Sequence, residues 1–490
     1  MSVALPFLTL AAGASLLAAA GRTGSLPLAP WIGLSCLLYA VRTLPSGVGL
    51  ASLVVATYLT VAIALRGVIP VPDPLYFAVL VPTVLGLAVP FAVDRLIASR
   101  WESWPTTLIF PLAFVAVDFA NARLGPYATN GSFAYTQFDN LPLIQITSVT
   151  GMFGVTFLLA WFASTVTWAM VRAPQSPRAV LPLVVYGVAL ALVLLAGEVR
   201  LASTASDRRT VRAAAITFPT DQFAPGEMTR FDEGRISEAE RPQIRERLAK
   251  LQTWFLDQTV REARAGARVI AWAEGNLIVL QEDEAAFVDR ARQLAREHSI
   301  YLAMGMAAIE PGASKPFGNK LTLIGPSGEV LFSYRKSLPL PGWEESIMVR
   351  GDGRLPLVTT DDGRMSGAIC FEMDHPDFVR QVGRASTDLW IVPANDWREV
   401  KRSHLQPVAF RAVENGTPIL RAGSHGMSAA FDAAGRTLAV VDHFSGQRTM
   451  VAQIPLGAVP TIYARVGDLF AWLCVGALAV LTTMALLARQ

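Results

Sequence analysis

The sequence predicts a two-part protein, in which a polytopic α-helical membrane domain is joined to an α/β soluble domain. Residues 1–197 hold thirteen charged side chains and no lysine, whereas the rest of the chain holds sixty-eight. Apolar runs of about 20 residues, long enough to cross a bilayer core of about 30 Å, recur through the first part and return once at the end. In the charged region between them, short apolar strands alternate with amphipathic helices, which is typical of an α/β sandwich with helices on its faces.

Eight apolar runs are expected to span the membrane. A signal peptide is the alternative for the first run, but no basic segment precedes it. The organisation that follows is a transmembrane domain over 1–200 with about seven helices, an extracytoplasmic domain over 201–460 and a carboxyl-terminal transmembrane helix within 466–490. The runs lie at about 3–20, 27–42, 47–65, 75–98, 106–121, 144–171, 180–197 and 468–488.

Arginine placement in the short loops favours a cytoplasmic amino terminus, because basic residues concentrate on the inner side of a membrane. Seven crossings then place residues 198–466 outside the cytoplasm, and the eighth returns the carboxyl terminus inside. The inside loops and tail hold Arg42, Arg95, Arg100, Arg172, Arg178 and Arg489, and the outside loops hold Arg22, Arg66 and Arg123.

Asp118 is an acidic residue well inside an apolar run. Intramembrane carboxylates are costly and tend to face a cavity or an ionic partner. Two roles therefore stay open, a structural pair with Arg123 and a contact with substrate.

The soluble region is expected to contain nine strands and four helices. Apolar runs bounded by turn residues indicate the strands, and apolar residues at helical spacing indicate the helices. The expected strands are 211–218, 267–273, 300–307, 320–325, 329–334, 365–371, 389–393, 419–422 and 427–431, and the expected helices are 237–265, 284–298, 375–386 and 403–415.

Cys370 is the one cysteine of the charged region, because Cys36 and Cys474 lie in apolar runs. A single thiol there can form neither an intramolecular disulfide nor a cysteine-rich zinc site, so it is either an inert core thiol or a nucleophile. Taken alone, such a cysteine is more often part of the core. The residues around it favour the nucleophile.

Three side chains of complementary chemistry lie at the ends of predicted strands: Glu274 and Lys336 follow theirs, and Cys370 nearly ends the strand 365–371. A partly desolvated carboxylate can act as a base, a lysine can stabilise an oxyanion, and a thiolate can attack a carbonyl carbon to form a thioester. Together they predict an acyl-transfer site, with Glu344 and Glu372 as accessory carboxylates that position the lysine or the acceptor. Taken singly, Lys336 and Glu344 are more often solvated loop charges, and Glu274 could merely begin a helix.

Other chemistries are not expected. The net charge is only +3 and no basic stripe is visible, so nucleic acid is not an expected partner. None of the five histidines has a metal-ligand spacing, and the sequence has no glycine-rich nucleotide signature, so we expect neither a metal nor a cofactor.

The order Glu, Lys, Cys resembles the catalytic triad of the carbon–nitrogen hydrolase (nitrilase) superfamily over about residues 210–450. With apolar segments before and after, the whole chain is similar to the apolipoprotein N-acyltransferases, the membrane-bound members of that superfamily. The resemblance implies a nitrilase-like α-β-β-α sandwich, Glu274, Lys336 and Cys370 as the triad, and accessory roles for Glu344 and Glu372. The matching motifs are Trp272-Ala273-Glu274, Tyr334-Arg335-Lys336, Ile369-Cys370-Phe371-Glu372, Asn395-Asp396-Trp397 and the segments 131–137 and 409–416.

The resemblance also implies a ping-pong reaction. A phospholipid donates an acyl chain to Cys370, and the α-amine of a diacylglyceryl-modified apolipoprotein then accepts it. Both substrates are lipid-anchored, so confinement beside the thiol replaces a bimolecular encounter. The implied location is the bacterial cytoplasmic (inner) membrane, with the catalytic domain on its extracytoplasmic face, in contact with membrane lipid and expected as a monomer.

Two alternatives stay open, because the loops after Glu274, Lys336 and Asp396 depart from the family's usual sequences. In a membrane-tethered amidase, the same triad would form a thioester that water resolves. In a catalytically inactive binding protein, Cys370 would be unreactive.

Overall fold

The computed structural model describes residues 4–23, 26–69, 71–98, 103–172, 176–204, 208–218 and 226–487. The chain divides into two compact units. The membrane unit comprises Met1–Ser203 and Val466–Gln490, and the soluble unit comprises Thr204–Arg465. The predicted fold class, membrane helices combined with an α/β sandwich, is confirmed.

The membrane unit is helical, because a chain in hydrocarbon must bond its own backbone polar groups. Within the described residues, seven helical stretches are long and apolar enough to cross a membrane, while a further apolar helix of sixteen residues is shorter. The helices are α1 (Ala4–Thr23), α2 (Leu28–Thr43), α3 (Ser46–Ala64), α4 (Leu75–Val79), α5 (Val81–Ile97), α6 (Ile109–Leu124), α7 (Leu141–Ile144), α8 (Thr147–Thr150), α9 (Phe153–Arg172), α10 (Leu181–Thr204) and, at the end of the chain, α18 (Leu469–Leu487).

The span predicted at 144–171 begins later than expected. Two one-turn helices, α7 and α8, occupy its first residues, and the long helix α9 begins only at Phe153. Gly151 separates them with a φ of 63°, a left-handed backbone conformation that ends a right-handed helix. The apolar composition on both sides of Gly151 hid this break from the sequence pattern.

Hydroxyl groups, and not an arginine, bind the carboxylate of Asp118. Its Oδ2 accepts hydrogen bonds from Ser132 Oγ at 2.8 Å and from Thr156 Oγ1 at 2.7 Å. Arg123 instead pairs with Asp468 at 2.7 Å. In the described part of the membrane unit, the possible Asp118–Arg123 pair is therefore not formed.

The soluble unit contains thirteen strands among its described residues. Helices connect the parallel strands, and tight turns connect the antiparallel ones. The strands are β1 (Thr210–Ile216), β2 (Val269–Trp272), β3 (Leu277–Leu280), β4 (Tyr301–Ile309), β5 (Phe317–Ile324), β6 (Val330–Arg335), β7 (Leu357–Thr360), β8 (Gly363–Gly367), β9 (Leu389–Asn395), β10 (Ile419–Ser424), β11 (Met427–Phe431), β12 (Thr437–Asp442) and β13 (Thr449–Pro455). The helices are α11 (Glu227–Asp232), α12 (Arg241–Arg264), α13 (Glu284–His298), α14 (Trp343–Ile347), α15 (Pro376–Arg384), α16 (Gln406–Asn415) and α17 (Ile462–Val466).

The strands form two sheets. The first has the order β13-β1-β2-β4-β5-β6 with β3 paired to β4, and the second has the order β12-β11-β10-β9-β8-β7. One apolar cluster draws residues from both sheets, including Ala271 and Ile391, and another packs α12 and α13 against the first sheet around Phe255 and Trp272. Strands β1, β2 and β4 are parallel, as are β8, β9 and β10. The carboxyl ends of parallel strands meet at one edge, which is where an α/β fold places its site.

The strand predicted over 365–371 is too long. Strand β8 ends at Gly367, and Cys370 begins a 3-10 turn, Cys370–Asp374, with a φ of 49°. The pattern of apolar residues continues through this change of backbone, so it could not reveal the turn. Strands missing from the prediction include the half-exposed edge strands β7 and β12, whose burial patterns lack a fully buried face.

A glycine at the end of α16 provides a test of the packing of the soluble unit. Gly416 has a φ of 60°, and a Cβ atom there would lie 1.7 Å from the Val459 carbonyl oxygen. Gly446 also has a left-handed φ, of 87°, but a Cβ atom there would meet nothing within 4 Å. We expect Gly446→Ala to cost about 1 kcal/mol through backbone strain alone, and Gly416→Ala to cost about 3 kcal/mol or more because Val459 must also move.

The measurement is the denaturant midpoint of the full-length protein in detergent, followed by pulse proteolysis of the soluble unit. Equal midpoints for the two variants would contradict the close approach of Gly416 to Val459.

Candidate active site

The three residues predicted as a triad follow strands whose ends meet at one edge of the sandwich. Glu274 lies two residues after β2, Lys336 directly follows β6, and Cys370 lies three residues after β8. The Lys336 ammonium donates to Glu274 Oε1 at 2.9 Å. Asn395 contacts both Glu274 and Cys370, so the structure brings all three residues to one site.

Lys336 is buried, with 2% of its side chain exposed, and is held by two carboxylates. Its Nζ donates to Glu344 Oε1 at 2.8 Å and Oε2 at 2.9 Å, in addition to Glu274. Burial would lower the pKa of Lys336, but the charges of Glu274 and Glu344 outweigh it and raise the pKa well above its ordinary value. The ammonium therefore stays charged at every physiological pH.

Asn319 is a site residue that the sequence analysis missed. Its Nδ2 donates to Glu274 Oε1 at 2.7 Å and to Glu344 Oε1 at 3.1 Å, so one amide bridges the two carboxylates. Asn319 is 1% exposed and lies within β5, next to the strand that ends just before Lys336. Asn319 directly precedes the predicted strand 320–325, and an amide beside an apolar strand was the available signal, because buried amides need specific partners.

Asn395 joins the base to the thiol through its backbone. Its N–H donates to Glu274 Oε2 at 2.8 Å, and its carbonyl oxygen lies 3.8 Å from Cys370 Sγ. Since Oε1 is bound by Lys336 and Asn319, both oxygens of Glu274 are oriented by the protein. In the sequence, Asn395 is recognisable only as part of a motif, because a backbone contact leaves no mark on side-chain chemistry.

The residue after Asn395 anchors this part of the site. The Asp396 carboxylate accepts from Arg421 Nη2 at 2.8 Å and lies 3.1 Å from His404 Nδ1. All three side chains are nearly inaccessible to solvent. Burial alone would raise the pKa of Asp396, but Arg421 and His404 hold it below its ordinary value. A fixed Asp396 restrains the backbone of Asn395 beside the thiol.

Cys370 has an unusual backbone and an electrostatic environment that opposes ionisation. Its left-handed φ of 49° is uncommon for a residue with a Cβ atom and is found at functional sites. Burial, together with the charge of Glu274, raises the pKa of the thiol well above its ordinary value, while Lys336 acts in the opposite direction. The resting group is therefore a thiol, and it needs a base to become a nucleophile.

Glu372 connects the turn of Cys370 to the loop of Lys336. Its Oε2 accepts from Ile369 N at 2.7 Å, and its Oε1 accepts from Tyr334 Oη and Ser337 N, both at 2.6 Å. Glu372 is fully buried, and burial raises its pKa to about 7. Its position is that of a residue that holds two loops together, whereas Glu344 contacts the lysine directly.

Among the described residues, no group of three or more histidine, cysteine, aspartate or glutamate side chains has an arrangement that could hold a metal ion. The polar residues around the thiol are instead paired with each other. The arrangement offers an oriented carboxylate, a permanent cation and a half-buried thiol, which are the components of nucleophilic acyl transfer.

Comparison with known proteins divides the chain in the same two regions. The model of the family described as carbon-nitrogen hydrolase matches residues 244–463, and that described as apolipoprotein N-acyltransferase N-terminal domain matches residues 12–165. A protein of Geobacter metallireducens named apolipoprotein N-acyltransferase is 27% identical over 424 residues, which cover 80% of this chain and 77% of the relative. One of the same name from Bradyrhizobium diazoefficiens is 27% identical over 445 residues, or 83% and 78% of the two chains.

Among solved structures, an amidase from Nesterenkonia sp. aligns with 52% of this chain and 92% of its own, at 20% identity and a TM-score of 0.41. The two family models account for the membrane and soluble regions separately, and the relatives of the same name extend over about four fifths of the chain. On these matches, the protein is an N-acyltransferase of the nitrilase superfamily, and it is similar over both regions to the proteins named apolipoprotein N-acyltransferase.

Proposed function

We propose that this chain moves a fatty acyl group from a phospholipid to the amino terminus of a diacylglyceryl-cysteine lipoprotein through a thioester on Cys370. The observation that carries the proposal is the buried Lys336 ammonium, held by Glu274 and Glu344 beside a half-buried thiol. The names of the full-length relatives support lipoprotein N-acylation as the outcome.

In the first half-reaction, Glu274 accepts the proton of the Cys370 thiol and the sulfur attacks an ester carbonyl of the phospholipid. The Lys336 ammonium stabilises the negative charge that develops on the carbonyl oxygen. When the tetrahedral intermediate collapses, its bond to the glycerol oxygen breaks, and Glu274 returns the proton to that oxygen. The products are the thioester and a lysophospholipid.

In the second half-reaction, the neutral α-amine of the lipoprotein attacks the thioester carbonyl. Glu274, ionised again after the first step, accepts a proton from the attacking nitrogen. Collapse of the intermediate breaks the carbon–sulfur bond, and the proton passes to the departing sulfur. The products are an amide and the resting thiol, so the cycle needs no external acid, base or cofactor.

Glu344 and Asn319 act as positioning residues in this scheme. Glu344 does not contact the thiol, but it binds the same ammonium that Glu274 binds and thereby fixes its direction. Asn319 donates to both carboxylates and keeps the basic lone pairs of Glu274 in place. Glu372 acts indirectly, because it binds the loops that carry Lys336 and Cys370 and does not contact either side chain.

The proposed setting is the bacterial inner membrane with the soluble unit on the outer side. The apolar helices support a membrane location, and the distribution of arginines between the loops supports the orientation. Lipid substrates and a lipid-anchored acceptor would meet the enzyme in two dimensions, which raises their effective concentration. We propose that the chain acts as a monomer.

The first test is the intact mass of the full-length protein after incubation with phosphatidylethanolamine. We expect wild type to gain one fatty-acyl mass and Cys370→Ser to gain none, because serine lacks a thiol that Glu274 can activate. Addition of a synthetic diacylglyceryl lipopeptide should then remove the mass and yield the N-acyl peptide.

The control is Cys474→Ser, which removes a cysteine of the membrane unit and should acylate like wild type. Discharge of the acyl group by water alone would identify an amidase, and acylation of Cys370→Ser would rule out the thioester.

The second test separates the role of Glu274 as a base from its effect on the thiol pKa. Because the Glu274 charge raises the pKa of Cys370, Glu274→Gln should lower that pKa, and each unit of decrease raises the thiolate fraction about tenfold. We therefore expect faster alkylation of Cys370 by iodoacetamide near pH 8. Acylation by phospholipid should nevertheless slow by about 10²–10⁴-fold, since the base is lost.

Alkylation is measured on the peptide that contains Cys370, with Glu344→Gln as the control, because Glu344 binds Lys336 but does not contact the thiol. Slower alkylation in Glu274→Gln, or acylation at the wild-type rate, would contradict the assigned role.

The orientation is tested with topology reporters in a bacterial host. A reporter fused after Gln490 should be active only as a cytoplasmic reporter, and one inserted near Gly312, in the turn between β4 and β5, only as an external reporter. The reverse pattern would place the soluble unit in the cytoplasm, where it could not meet exported lipoproteins.

A further inference from the structure

A cavity lined by three arginines lies at the edge of the soluble unit opposite to Cys370. Its volume is about 440 Å³, and its charged lining residues are Arg208, Arg209, Arg364 and Asp388. Arg209 directly precedes β1, and Asp388 directly precedes β9. Cys370 and Asn395 lie at the other ends of β8 and β9.

The length of β9 separates this arginine cavity from the proposed catalytic site. Strand β9 has seven residues, and a strand rises about 3.3 Å per residue, so its ends lie about 20 Å apart. The cavity is therefore too far from the thiol to hold the reacting part of a substrate, and it is a separate site.

The guanidinium groups at the cavity retain capacity to bind an anion. Arg208 donates through Nη1 to the Gly457 carbonyl at 2.6 Å, and Arg364 through Nη1 to the Ala385 carbonyl at 2.9 Å. Among the described residues these are the only side-chain hydrogen bonds of either group, and a guanidinium has five N–H donors. Gly457 permits the approach, since a Cβ atom there would lie 3.3 Å from Arg208 Nη1.

The single acidic residue that lines the cavity does not neutralise it. Asp388 accepts from the backbone N–H of Arg364 at 2.8 Å and from that of Ala458 at 3.1 Å. Arg209 pairs with Asp362, but Arg268 also contacts that carboxylate, at 3.2 Å. Positive charge therefore exceeds negative charge at the cavity and its border, which favours an anionic ligand.

Arg208 is close in the chain to the end of a membrane-spanning helix. Helix α10 has 24 residues and is about 36 Å long, whereas a bilayer core is about 30 Å thick, so its end at Thr204 reaches the headgroup region. Arg208 follows Thr204 by four residues, which span at most about 14 Å. A smaller cavity of the soluble unit, lined by Thr204, Arg208 and Arg436, extends the basic surface to Thr204 itself.

We propose that the arginine cavity binds the phosphate of an anionic phospholipid headgroup. Arginine binds phosphate oxygens through paired, charge-assisted hydrogen bonds, and Arg208 and Arg364 both line the cavity. A net positive lining favours a headgroup with net negative charge, such as phosphatidylglycerol, over a zwitterionic one. The bound lipid would take no part in acyl transfer.

The test is the number of phosphatidylglycerol molecules that full-length protein retains in native mass spectrometry after transfer from mixed phosphatidylglycerol–phosphatidylethanolamine vesicles into detergent. We expect wild type to retain one more phosphatidylglycerol than the pair Arg208→Gln/Arg364→Gln. The affinity of the Arg208→Gln/Arg364→Gln pair for phosphatidylglycerol should be about tenfold lower or more, because neither glutamine can donate a charge-assisted hydrogen bond to the phosphate. The pair Arg208→Lys/Arg364→Lys, which keeps the charge, should retain part of the binding.

The matched control is Arg290→Gln/Arg296→Gln, which removes two arginines from α13 and should bind lipid like wild type. Equal retention by the Arg208→Gln/Arg364→Gln pair and wild type would overturn the proposal. Displacement of the lipid by inorganic phosphate or glycerol phosphate at concentrations below that of the lipid would also overturn it, because the ligand would then be a soluble anion. The readout is lipid retention, so it does not depend on the proposed acyl transfer.

Discussion

The site depends on the burial of one positive charge. Lys336 lies inside the sandwich, and a buried ammonium without partners would cost several kcal/mol in desolvation. Glu274 and Glu344 offset that cost, but two carboxylates around one cation leave a buried negative charge. Hydrogen bonds from Asn319 and from the backbone of Asn395 satisfy it. The ends of β2, β5, β6 and β9 must therefore meet in one arrangement, and the chemistry of the site follows from that requirement.

The same requirement explains why the thiol can be both dormant and reactive. The charge of Glu274 keeps the pKa of Cys370 high, so the resting sulfur is protonated and protected from oxidation. Lys336 opposes this effect, and in the proposed reaction it stabilises the negative charge that develops on the carbonyl oxygen of the substrate. Glu372 fixes the relative positions of these groups without contacting them, since it binds the backbone just before Cys370 and the loop after Lys336 at the same time. Activation thus requires Glu274 to remove the thiol proton, and not merely exposure of the sulfur.

The sequence predicted those features that arise from local pattern. Apolar length indicated the membrane helices, alternation indicated the sandwich, and the positions of Glu274 and Lys336 after apolar strands indicated the edge at which they meet. Other features depend on tertiary contacts that no local pattern records. Asn319 matters because β5 lies beside β6, and Glu372 binds the N–H of Ile369, next to the left-handed backbone of Cys370. A backbone carbonyl or amide, as at Asn395, leaves no chemical signature in the sequence at all.

The parallel strands also separate two groups of charged side chains. Their carboxyl ends hold the thiol, the base and the buried lysine. Burial there strengthens each electrostatic interaction, but it also raises the desolvation cost of each charge. Their amino ends hold exposed arginines, which a solvated phosphate can reach without large desolvation. Because β8 and β9 run from one group to the other, a substitution at the arginine end changes surface charge without moving the buried carboxylates. The two groups of charges can therefore vary independently in this fold, since the seven residues of β9 keep them about 20 Å apart.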